Sequence, residues 1–249
     1  MAISNGAYGY MTAAFAGLLY GEDYVINTPS FQGLTGDTLT FGKVVTNYIG
    51  DDGKCANLKA DLATLTFSTD LTASNVVNIT INGDAMAPVT YADSNAATMA
   101  AIAVAIEALD DNYDATVASA NVLTIETKYE NAVVTVSTVT GGSAVTITPT
   151  YGMSSNQILI GISAATARST NETTGCYELY EAANVVKSGK VWVLAGATVY
   201  AEQTAYVIVA NGATQGRFTN SSSGNQAING KFKTSGTNGT LVLVEFDVY

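Results

Sequence analysis

Histidine is absent from this chain of 249 residues, which has only two cysteines, three prolines and one tryptophan. Without imidazole there is no histidine-dependent catalytic triad and no histidine-ligated metal centre. Charge is scarce too: 12% of residues are ionic, and ten basic against twenty-one acidic side chains leave a net charge of −11. No basic stripe exists to neutralise phosphates, so direct nucleic-acid binding is not expected. No run approaches the roughly 20 apolar residues that span a bilayer, so no membrane partner is expected. The apolar stretch from Met11 to Tyr20 lacks the basic region that precedes a secretory signal, and cytoplasmic synthesis is the expectation. In that compartment Cys55 and Cys176 read as two small, reduced, half-buried residues, with a disulfide between them left open.

What is present is Thr, Val, Ala and Gly in short alternating runs, the pattern of a mainly β protein. Three pieces are distinguishable. In residues 1–66 the compact run Ala13, Ala14, Phe15, Ala16, Leu18 and Leu19, ended by Gly21, predicts a short helix. Tyr24-Val25-Ile26-Asn27 follows, and Leu39 to Val45 reads as a strand pair or a bulged strand. Residues 67–156 differ in character. Val76 to Ile81 closes on Asn82-Gly83-Asp84, a tight-hairpin signal, with a return strand at Ala87 to Tyr91. Ser94 has the chemistry of an N-cap, and Met99, Ile102, Val104, Ile106 and Leu109 suit a helix over Thr98 to Leu109. Strands follow at Val122 to Thr127, Val133 to Val139 and Val145 to Thr148, the last two joined through Gly141-Gly142-Ser143. Residues 157–249 return to glycine-punctuated strands: Ile158 to Ile162, Cys176 to Tyr180, Lys190 to Leu194, Thr204 to Ile208, Lys231 to Phe232 and Leu241 to Val248. The fold class expected is therefore a discontinuous β-barrel or sandwich with an N-terminal arm and an inserted small α+β domain.

Groups that carry chemistry are few. Asp110, Asp111, Asn112 and Asp114 lack the ligand spacing and turn glycine of a calcium loop and read as a solvated connection; Asp51-Asp52-Gly53 reads as a turn. Glu178 with Glu181, or Glu245 with Asp247, is a carboxylate pair of the kind glycoside hydrolysis uses, but no aromatic-rich cleft signature accompanies either. Gly189-Lys190 lacks the remaining residues of a phosphate loop. The tract Thr219 to Gln226 has no apolar anchor and reads as a surface loop. No catalytic residue, cofactor or metal ligand is expected. The run from Met11 to Tyr20 is either a core helix or an arm laid on a neighbouring subunit with Phe15, Leu18, Leu19 and Tyr20 as anchors. Trp192 in Val191-Trp192-Val193-Leu194 belongs to a core or interface strand. Together with Phe41, these are the candidate interface residues.

The flanking pieces resemble the structural cement proteins of tailed bacteriophages. The resemblance rests on Ala14 to Leu19, on Leu39-Thr40-Phe41-Gly42-Lys43-Val44-Val45, and on Ile160-Gly161-Ile162-Ser163. It continues through Tyr177-Glu178, Val185-Val186, Gly189 to Val193, Gly230 to Ser235 and Leu241 to Val244. The middle piece resembles modules of phage tail-sheath and related virion proteins, on Leu65 to Leu71, the Ile79 to Gly83 hairpin and Ala97-Thr98-Met99. Such cement proteins often lack an insertion of this kind, so the insertion is a departure from the family. The resemblance implies a decoration protein made in the host cytoplasm and carried on the virion. It would bind major capsid proteins at their junctions and stabilise the shell as a homo-oligomer, a trimer in preference to a dimer, with the insertion projecting outward. A tail- or fibre-associated module that binds carbohydrate is the alternative. With no histidine to titrate, capsid binding is expected to change little between pH 6 and 8.

Overall fold

A computed structural model describes residues 14–165 and 175–248. The chain is mainly β and divides into two compact units, one drawn from Met1–Leu58 and Ser155–Tyr249, the other formed by Lys59–Ser154.

The discontinuous unit is built on a ten-stranded sheet. Its spatial order runs Phe218–Thr219, Thr204–Ile208, Asn225–Phe232, Leu241–Asp247, Val185–Leu194, Gln157–Ser163, Val44–Tyr48, Lys54–Asn57 and Ser30–Phe31. Leu19–Asn27 joins this path by pairing antiparallel with Val185–Leu194. That ten-residue strand is shared. Val185 and Val186 pair with Ser163 and Ile162, whereas Ser188 to Leu194 pair with Asp247 to Leu241. Alternation decides which side chains go inside: Val191 and Val193, Val242 and Val244, Ala205 and Val207 are all fully buried. A separate apolar cluster gathers Phe31, Leu39, Phe41, Val45, Cys55 and Tyr177. Both cysteines are buried, and neither is in a disulfide.

The helix expected from the Met11 to Tyr20 run does not form in its described part. Met11, Thr12 and Ala13 lie outside the described residues; Ala16 and Gly17 make a turn, and Leu19 opens the strand Leu19–Asn27. Two glycines account for this. Gly17 takes φ +83°, and Gly21, expected to end the helix, lies inside the strand at φ +88°. Gly21 begins an irregularity at which Tyr20 pairs with Lys190 and the next partners are Val25 and Ser188.

The inserted unit holds two four-stranded sheets and one helix. One sheet orders Tyr113–Ser119, Val122–Thr127, Leu62–Phe67 and Ile147–Gly152; in the other, Val76–Ile81 pairs with Val134–Thr140, Asp84–Ala85 and Val89–Thr90. Asn82 and Gly83 both adopt positive φ, as a tight hairpin turn requires. Ser94 caps the helix Asn95–Glu107, its hydroxyl accepting from Ala97 N at 3.1 Å. Met99, Ile102 and Ile106 enter a core with Leu65, Phe67, Val77, Ile79, Leu123 and Ile125. Leu62–Phe67 and Tyr113–Ser119 are longer strands that the sequence pattern did not place. The first is central in its sheet, and with its inward Ala63, Leu65 and Phe67 it belongs to the insert rather than to the piece before it.

Candidate functional site

The segment from Phe15 to Asn27 is held on its sheet by backbone bonds and by glycine contacts. Gly17 N donates to the Trp192 carbonyl at 2.7 Å, and Trp192 N donates to the Leu18 carbonyl at 2.9 Å. Ala165 N donates to the Gly17 carbonyl at 3.0 Å. A Cβ on Gly17 would lie 2.8 Å from Phe41 Cβ, and one on Gly42 would lie 2.7 Å from Gly17 N and 2.8 Å from Ala16 Cβ. The Ala16-Gly17-Leu18 and Phe41-Gly42-Lys43 elements therefore meet backbone to backbone, a contact that any side chain would block. Ser163 completes the junction. Its hydroxyl donates to the Thr40 carbonyl at 2.7 Å and accepts from Lys43 N at 3.1 Å.

So fastened, the strand Leu19–Asn27 pairs on one side only among the described residues. Among the described residues, no strand pairs with its other edge. Tyr20 is 55% exposed, and Tyr24 and Val25 stand out beside it. In register, Tyr20 lies opposite Lys190, Lys190 opposite Glu245, and Glu245 opposite Lys231, so the four share one sheet face. Trp192, two residues from Lys190, shares that face and is half-buried opposite Leu243.

The structure thus brings five of the six candidate interface residues to one part of the sheet and places the sixth inside. Phe15 is exposed, and Leu18 and Leu19 are half-buried beside Tyr20. Phe41 is only 5% exposed and packs edge-on against Tyr177 with ring centroids 5.1 Å apart. It is a core residue, clustered with Phe31, Leu39, Val45 and Tyr177. Tyr24 and Val25 were legible only as strand formers; the overlooked signal is an apolar side chain on both faces of one short strand, which suits an edge awaiting a neighbour.

In the candidate pairs, the Glu181 and Glu245 carboxylates make local contacts. Glu181 Oε2 accepts from Glu178 N at 2.8 Å, a local turn bond. Glu245 lies 3.5 Å from both Lys190 and Lys233. Lys233 also holds Glu202 at 2.7 Å and keeps its carboxyl below the usual carboxylate range. A cleft of about 550 Å³ beside them is lined by Lys231, Glu245, Phe246 and Asp247. Asp110 Oδ1 accepts from both nitrogens of Asn112 at 2.8 Å, closing a turn. Among the described residues, no three Asp, Glu or Cys side chains stand close enough to hold a metal ion.

Residues 101–247 match the structural cement protein family of phages, typified by E217 gp24 and Pam3 gp6. The chain belongs to this family. The match begins within the helix and runs through the second half of the insert, so that half lies inside the family pattern rather than departing from it. The likeness at Ala14 to Val45 lies before the matched span. The cement protein is also similar to a chain in the solved structure of the capsid of Myoviridae phage XM1, at 15% identity and a TM-score of 0.46, covering 99% of this chain and 98% of that one. No curated protein matches. As a phage structural cement protein, the chain is a component of the virion whose role is to bind the capsid.

Proposed function

We propose that this cement protein decorates the outer face of the phage head, at junctions between major capsid proteins, as a closed symmetric oligomer that is a trimer in preference to a dimer. The carrying observation is the one-sided strand Leu19–Asn27, anchored to its own sheet and presenting Tyr20, Tyr24 and Val25. A free strand edge gives backbone hydrogen bonds to a neighbour, and the outward side chains give selectivity. Phe15, Leu18, Leu19 and Trp192 extend the contact. The reading needs no chemical step. A ligand that binds only the assembled lattice stabilises it by its binding free energy, and weak contacts repeated over a shell add up. Sites on lattice axes favour a closed ring. The insert's likeness to tail-sheath modules fits this reading as a self-contained virion unit, supported by its own core.

Heating or osmotically shocking particles stripped of the protein, then re-decorated, tests the reading. Wild-type protein should restore resistance to rupture. Tyr20→Lys combined with Val25→Lys should fail to do so while melting at the wild-type temperature in isolation, because charge on an edge strand blocks pairing. Stripped particles of unchanged robustness that no longer adsorb to cells would instead favour a carbohydrate-binding tail or fibre module.

A further inference from the structure

Lys43 and Arg217 bring two cations together in the discontinuous unit with no carboxylate against either among the described residues. Lys43 follows Gly42 in the turn before Val44–Tyr48, and its ammonium donates to the Gln215 carbonyl. Gly216, between Gln215 and Arg217, approaches so closely that a Cβ there would sit 3.2 Å from Lys43 Cδ. Both charged side chains are half-buried, and the Arg217 Nε is buried without a hydrogen-bond partner. Three of the four salt bridges the structure describes involve Lys190 or Lys233, on a different part of this unit, and the fourth joins Lys54 to Asp51. Burial, and then repulsion by Arg217, push the Lys43 amine down from 10.5 to about 8. A half-desolvated like-charge pair with an orphan guanidinium N–H is an unfinished arrangement, because buried cations are normally paired with an acid.

We propose that Lys43 and Arg217 form a socket for a carboxylate supplied by a neighbouring protein subunit in the assembled shell. A planar carboxylate matches the guanidinium fork, and its second oxygen would meet the ammonium. The source of the carboxylate rests on the cement reading above; the socket itself does not. The sign of its pH dependence follows. The folded, undocked protein holds the Lys43 amine below its unfolded value, so its own stability rises as pH climbs from 8 towards 10.5. Docking a carboxylate lifts the amine again, so shell binding is full below pH 8 and falls about tenfold per pH unit above it. Arg217 is the one charged group that faces Lys43 from the neighbouring turn among the described residues.

Two measurements test this. In the free protein, NMR titration of the Lys43 amine should give a midpoint near 8 that rises on adding acetate; a midpoint near 10.5 would show that neither burial nor Arg217 presses on the amine and would overturn the socket. In the second, binding to stripped particles is followed from pH 6 to 10. Wild type should weaken above pH 8, whereas Lys43→Arg, always charged, should keep its affinity to pH 10. Arg217→Gln should bind at least tenfold more weakly at pH 7, and Arg217→Lys should recover part of that loss. Identical pH profiles for wild type and Lys43→Arg would overturn a protein-borne carboxylate. Failure of wild type to bind particles at any pH would sink the cement reading and leave the acetate titration to judge the socket.

Discussion

Gly42 and Gly17 meet with no room for a methyl group, and each also adopts a left-handed φ, +73° and +83°. Gly50 shares the backbone strain, at φ +89°, but has open space where a Cβ would stand. The pair separates two costs. Gly50→Ala should cost about 1–2 kcal/mol, the penalty of a left-handed L-residue. Gly42→Ala should add a further ~1–3 kcal/mol from forcing apart a packed junction. Denaturant unfolding of the isolated protein measures both, and equal losses at the two positions would mean that the Gly17 contact contributes nothing. The same scale bears on Cys55: burial pushes its thiol up to about 12, so its thiolate is scarce at neutral pH.

At the scale of elements, the helix Asn95–Glu107 shows what patterning conveys. Ile102 and Ile106 are fully buried, whereas Val104 between them is 65% exposed. Ile106→Ala should therefore destabilise the protein by ~2–5 kcal/mol, and Val104→Lys should leave its melting temperature nearly unchanged. Removing the cap with Ser94→Ala should cost about 1 kcal/mol. Elements of this kind were legible because local signals agree: Ser94 followed by apolar periodicity, or Asn82-Gly83 between β-branched runs. Val122–Thr127 and Thr204–Ile208 lie where alternation puts them. What failed were segments whose state depends on distant partners. Ala13 to Leu19 has helix-forming composition, yet Leu19 and Tyr20 pair with Val191 and Lys190, far along the chain, and long-range pairing overrides propensity. Tyr113–Ser119 hides behind exposed Asp114, Thr116 and Ser119, because only Tyr113 and Ala115 turn inward. The apolar run Phe15 to Tyr20 is visible in the sequence, but the burial of Phe41 and the facing of Lys43 by Arg217 depend on turns that no local pattern encodes.

For the molecule as a whole, charge and connectivity separate the two units. Residues 59–154 carry ten acidic and two basic side chains, a net −8 of the chain's −11. This unit also closes on itself. Leu62 pairs with Gly152, and the fully buried Asp61 accepts from Ser154 N at 2.7 Å and from Ser154 Oγ at 2.8 Å. Chain entry and exit are thus clasped together, with the apolar core lying between those residues in sequence. A segment with its own core and adjoining ends meets the conditions for folding alone. The peptide 59–154, expressed by itself, should be a soluble monomer that melts cooperatively, since its net charge opposes association. Asp61→Ala within it strands the Ser154 donors and should lower stability by ~1–3 kcal/mol. The isolated peptide should also bind no stripped particles, because Tyr20, Lys43 and Arg217 all lie outside it. Calorimetry and a pelleting assay check the two halves of this prediction. A peptide that fails to fold would make the clasp insufficient, and one that folds and pellets with shells would move the docking surface from the strand Leu19–Asn27 to the acidic insert.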